Sequence, residues 1–166
     1  MTMKKLKIYY TSDVHGAFSP TDYATGSRIA AGLSNCIAGF KKDGDTLIID
    51  GGDILQGSPF TYYLYSQTEH GGKTIAAFMN IGGYDFVTLG NHDFNYGKAA
   101  IEEYLAALNA KCLCANVRGI MGVEGTAVIT MQSGLRVGLA GVTTHYVNIF
   151  EKRENMRGIT VTDAFT

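Results

Sequence analysis

The chain has 166 residues, with 14 Lys and Arg against 15 Asp and Glu for a formal net charge of −1, and is 46% hydrophobic and 17% charged. That is enough chain and apolar side chain to bury one sizeable core, and too even a composition for disorder. No basic run exceeds Lys4-Lys5, which excludes an electrostatic track for a nucleic acid polymer or an anionic membrane, so any phosphate group would be held by metal.

In chain order, Leu6 to Ser12 reads as a strand, with Leu6, Ile8 and Tyr10 on one side and Lys7, Tyr9 and Thr11 on the other. The start is too short in apolar residues for a signal peptide, and no stretch is long enough to span a bilayer, so a reduced, cytoplasmic setting is expected. Ser27 is expected to cap a helix through Ile29, Leu33, Ile37 and Phe40 that Gly44 stops. Thr46 to Asp50 is a short apolar strand suited to the middle of a parallel sheet. Ser58-Pro59 starts a helix, and Gly71-Gly72 is expected to separate it from a second one around Ile75, Phe78 and Met79. A strand over Asp85 to Leu89, a helix marked by Ile101, Tyr104, Leu105 and Leu108, and a strand over Lys111 to Ala115 follow. Thr126 to Met131 and Leu135 to Val142 flank Gln132-Ser133-Gly134 as an antiparallel hairpin, and Phe150 to Gly158 reads as a polar surface loop. Strand and helix alternation of this kind predicts an α/β sheet with its ligand site beyond the carboxyl ends of the strands.

Four islands fall at such ends: Asp13-Val14-His15, Gly51-Gly52-Asp53, Gly90-Asn91-His92-Asp93 and Ala115-Asn116-Val117. Asp13 and His15, two apart, can hold one cation between carboxylate and imidazole, or be no more than a polar turn after a strand. The glycines before Asp53 allow a tight turn that returns its carboxylate over the sheet edge, where it can bridge two cations; the plainer reading is a turn cap. Asn91 offers a neutral oxygen ligand, and His92 a proton for a leaving oxygen, unless it is an ordinary surface histidine. Asn116 is the expected substrate contact of the fourth island. His70 reads as a solvated residue, His145 as a surface or supporting one, and Cys112 and Cys114 as small core residues of a strand.

In order and spacing, Tyr10-Thr11-Ser12-Asp13-Val14-His15-Gly16, Gly51-Gly52-Asp53-Ile54-Leu55-Gln56-Gly57-Ser58-Pro59 and Leu89-Gly90-Asn91-His92-Asp93-Phe94-Asn95-Tyr96-Gly97 resemble the calcineurin-like metallophosphoesterases. Within them, they resemble the bacterial 5'-nucleotidase and 2',3'-cyclic-nucleotide phosphodiesterase branch; Glu151-Lys152, Glu154-Asn155 and Gly158 are similar too. The resemblance implies a single domain over 1–166 that is the N-terminal portion of a four-layer αββα sandwich. It also implies Asp13, His15 and Asp53 on a first divalent metal (Mn, Zn, Fe or similar), Asp53 and Asn91 on a second, and His92 with Asn95 in the catalytic position. The activity implied is hydrolysis of nucleotides or related small phosphate esters, in nucleotide catabolism, by a two-metal activated water. Two departures accompany it. The family pairs its catalytic histidine with an aspartate three positions on, where this chain has Asn95, and it completes the metal centre with later histidines beyond His15, His70, His92 and His145. Weak or single-metal occupancy and little turnover in isolation are therefore expected, and the alternative is a non-catalytic half-domain that self-associates or joins a second chain through its open half-sheet.

Overall fold

The computed structural model describes residues 3–165; the expected domain span of 1–166 includes Met1, Thr2 and Thr166, which lie outside the described residues. Among the described residues are nine strands and five α-helices, in the order β1 (Lys7–Thr11), α1 (Leu33–Ala38), β2 (Thr46–Asp50), α2 (Pro59–Gln67), α3 (Gly71–Gly82), β3 (Phe86–Val87), α4 (Gly97–Ala107), β4 (Lys111–Leu113), β5 (Val117–Arg118), β6 (Val123–Glu124), β7 (Thr126–Thr130), β8 (Arg136–Ala140), α5 (Val147–Phe150) and β9 (Thr160–Val161). A 3₁₀ turn over Asn91–Tyr96 leads into α4.

The main sheet runs β1-β2-β3-β4-β6 with every pair parallel, so the carboxyl ends of β1, β2 and β3 lie along one rim. Two-residue periodicity divides the core between the faces of this sheet. Ile48, Val87 and Cys112 join the helices' Ile75, Met79, Ile101 and Tyr104 in one cluster. Their neighbours Leu47, Phe86 and Leu113 pack in another with Met131 and the half-buried Ala127, Ile129 and Leu139 of the β7–β8 hairpin. Helices, parallel sheet and hairpin are thus three successive layers. No helix among the described residues is long and apolar enough to cross a membrane.

Several expected boundaries move. The helix expected from Ser27 begins only at Leu33, because Gly32 is left-handed at φ 87 and its missing Cβ would lie 2.5 Å from the Ser19 carbonyl oxygen. Upstream, the backbone spends its N–H groups on turns: Ala24 and Thr25 donate to Asp22 Oδ1, and Ile29 donates to the Pro20 carbonyl. Gly71 and Gly72 open α3 instead of separating two helices; the close approach of Gly72 to Ala100 and Tyr104 of α4 leaves no room for a Cβ. Ser58 caps α2 as expected, accepting from the Thr61 N–H while Thr61 Oγ1 accepts from the Ser58 N–H. β5, β6, β9 and α5 are too short for periodicity to reveal.

Candidate metal centre

The loops after β1 and β2 are laced together beyond the last sheet pair. Gly51 N–H donates to the Thr11 carbonyl at 2.7 Å, Asp13 N–H to Gly52 at 3.0 Å and His15 N–H to Asp53 at 2.8 Å. This lacing turns Asp13, His15 and Asp53 toward one another with φ of 53, 50 and 57, left-handed values that β-carbon-bearing residues rarely adopt. Each costs on the order of 1–3 kcal/mol, which the surrounding hydrogen bonds must offset. Gly52 makes the crossing feasible: at φ 93, a Cβ there would stand 2.2 Å from the Gly90 nitrogen.

As a result, one ligand atom from each of Asp13, His15 and Asp53 lies within 4.8 Å of the others. His15 Nδ1 is 2.9 Å from the Gln56 carbonyl oxygen, which can only accept, so Nδ1 carries the proton and Nε2 keeps its lone pair for a cation. Two carboxylates and one imidazole oriented by a carbonyl form a donor set that fits manganese, iron or zinc.

The third island closes on the same spot. His92 N–H donates to Asp53 Oδ1 at 2.6 Å, and the His92 ring meets the His15 ring edge to face at 5.2 Å between centroids. Asn91 is half-buried beside His92 at the head of the 3₁₀ turn. His92 Nδ1 lies 3.0 Å from Asn95 Oδ1, so the amide expected at the catalytic position is in contact with the ring.

Asn116 has other partners. It gives its amide hydrogens to the carbonyls of Thr143 and Thr162 at 2.8 and 2.7 Å, and its Oδ1 accepts from the Thr143 N–H at 3.0 Å. The side chain expected to meet substrate is thereby a clamp between three segments. His70 is exposed, 3.6 Å from Glu103, and His145 stacks on Tyr146 at 4.5 Å. Cys112 and Cys114 are buried core residues whose thiols burial pushes up in pKa, and Cys36 is exposed.

Three supporting groups escaped sequence reasoning. Asp93 is fully buried and accepts from the N–H groups of Gly90 and Asp53 at 2.8 Å and of Ile54 and Leu55 at 2.9 Å, pinning the second island to the third. Burial pushes its carboxyl up to about 6, against the lowering effect of these donors. Asp50 accepts from Thr11 Oγ1 at 2.5 Å and from Gly52 N–H at 3.0 Å; burial raises its carboxyl to about 7. Glu151, from the surface loop, accepts a hydrogen bond from Asn95 Nδ2. The Asp93 position, in the first turn of a helix-like segment, was the one local signal; the Glu151 contact joins residues 56 apart.

The calcineurin-like phosphoesterase profile matches residues 6–158, which contain every residue of this centre. The chain belongs to the calcineurin-like phosphoesterase family. Among family relatives, a probable 5'-nucleotidase of Treponema pallidum is 35% identical over 105 residues, 60% of this chain and 17% of that protein. The trifunctional nucleotide phosphoesterase protein YfkN of Bacillus subtilis is 32% identical over 128 residues, 70% of this chain and 9% of its own. The solved structure of a putative 5'-nucleotidase from Staphylococcus aureus superposes with a TM-score of 0.85 at 32% identity, covering 95% of this chain and 32% of that one. The chain therefore spans a minor part of each of these relatives.

Proposed function

We propose that this chain contributes the metal-binding and proton-handling part of a 5'-nucleotidase-type phosphoester hydrolase acting on nucleotides or related small phosphate esters. The observation that carries this reading is the convergence of Asp13, His15 and Asp53 within 4.8 Å, with His92 hydrogen-bonded to Asp53. The relatives named 5'-nucleotidase support the substrate class.

In this reading, Asp13, His15 and Asp53 would hold one cation, and Asp53 with Asn91 would hold a second. Bound divalent cations supply Lewis-acid charge on the phosphoryl oxygens and a template for the attacking water. The residues of the chain do the rest. Asp53, fixed by Asp93 through its N–H and by His92 through its Oδ1, spaces the two sites. His92 presents its imidazole to the leaving oxygen for proton transfer. Asn116 contributes by holding the ends of β4 and the segments at Thr143 and Thr162 in register.

Calorimetry of the chain with manganese tests the reading: weak or single-site binding is expected, accompanied by slow hydrolysis of a nucleoside monophosphate. Binding no stronger than that of Asp53→Asn would remove the basis of the proposal.

A second reading, self-association through the open face of the sheet, is favoured by β1. Ile8 and Tyr10 point away from the helices on an edge strand and remain 50% and 64% exposed. Light scattering distinguishes a dimer from a monomer.

A further inference from the structure

The geometry points to Glu151 as the positioning residue of His92, acting through the amide of Asn95; this rests on the proposed role of His92. The contacts form one directed chain. A carboxylate can only accept, so the Asn95 group facing Glu151 Oε2 is its Nδ2. The Asn95 oxygen must then face His92 at 3.0 Å, and because an amide oxygen also only accepts, His92 Nδ1 carries the hydrogen. A charge two hydrogen bonds away thereby sets which ring nitrogen is protonated, leaving Nε2 as the nitrogen turned to the reacting group.

Glu151 is itself held for this work. Its Oε1 accepts from Lys152 N–H at 2.7 Å and from Asn155 Nδ2 at 3.0 Å, and Asn155 Nδ2 also donates to the Asn95 carbonyl at 2.8 Å. The loop over 150–158, polar and mostly exposed, thus lays one carboxylate against the back of the catalytic histidine. Neither oxygen of Glu151 is free to turn, so the orientation of the Asn95 amide is fixed.

The isosteric variant Glu151→Gln tests this without removing volume. Its oxygen is retained by the Lys152 and Asn155 donors, so its Nε2 faces Asn95, whose amide must flip and present Nδ2 to His92. The His92 ring then has to accept at Nδ1 and protonate at Nε2. Nitrogen-15 spectra of the ring nitrogens in the chain, at alkaline pH and with chelator, read the tautomer directly, with His92→Gln assigning the signal. Expected are the Nδ1–H form in the unaltered chain, a switch to predominantly Nε2–H in Glu151→Gln, and a return to Nδ1–H in Asn95→Asp/Glu151→Gln, where the new carboxylate accepts from both neighbours. An Nε2–H tautomer in the unaltered chain, or a tautomer unmoved by Glu151→Gln, overturns the relay. With manganese and p-nitrophenyl phosphate, Glu151→Gln should lose about tenfold or more in kcat with KM within about twofold, and the double variant should recover most of it. The expected tautomer pattern in a chain with no hydrolysis would sink the hydrolase reading and leave the relay standing.

Discussion

The His92 backbone N–H and the Asp53 carboxylate meet at 2.6 Å, so the proposed proton carrier and the proposed central cation ligand share one hydrogen bond. Displacing either therefore displaces both. Asp53→Asn keeps an oxygen to accept that bond but loses the negative charge. The fold should survive, with urea midpoints little changed, while manganese affinity measured by calorimetry falls at least about tenfold. Unchanged affinity would place the cation elsewhere.

Gly90 tests the same spot by steric means. Its backbone is ordinary extended chain, but an added Cβ would stand 2.2 Å from Asp53 Oδ1. Gly90→Ala should push the carboxylate aside, weaken cation binding by roughly tenfold or more, and cost about 1–3 kcal/mol of stability in urea titrations. An affinity equal to that of the unaltered chain would show that Asp53 is free to move without consequence.

Asn116 should behave as a clamp. Asn116→Ala strands the Thr143 N–H and two carbonyls, for a loss of about 2–4 kcal/mol in unfolding free energy. In chain that remains folded, KM for a phosphate ester should stay within about twofold. A large rise in KM without a loss of stability would return the residue to substrate binding.

Asp50 gives the fold a pH dependence of definite sign. Its carboxyl is raised from 3.8 to about 7 by burial, so between those values the folded chain keeps a proton that the unfolded chain releases. This contribution is fully present below the unfolded value and is lost as pH climbs through about 7; Asp93, raised to about 6, acts in the same direction. With chelator present, urea midpoints should decline from about pH 5 to about pH 8, and Asp50→Asn should flatten the decline. A rise over that interval would contradict the assignment.

The parts of this molecule that were legible in its sequence are those specified locally. β2 follows from its continuous apolar run, the β7–β8 hairpin from two strand-like runs flanking Gln132-Ser133-Gly134, the α2 cap from Ser58-Pro59, and the candidate ligand trio from islands at strand ends. What was hidden depends on contacts between distant residues or on backbone geometry. The late start of α1 turns on the proximity of Gly32 to Ser19. Asn116 is occupied by Thr143 and Thr162, segments that no spacing rule brings to it. Glu151 reaches Asn95 only once the loop over 150–158 has folded back over the 3₁₀ turn. Asp93 was visible as a polar residue of the third island, and its bond from Gly90 is local, but its other three backbone partners, Asp53, Ile54 and Leu55, belong to tertiary structure.

Asp13, His15 and Asp53 all occupy backbone that glycine would enter more comfortably. Glycine at any of the three would relax its loop and remove a candidate cation ligand in the same substitution. A library screened for heat tolerance alone should accordingly accumulate glycine there, and its sturdiest members would be those that had given up the proposed cation site.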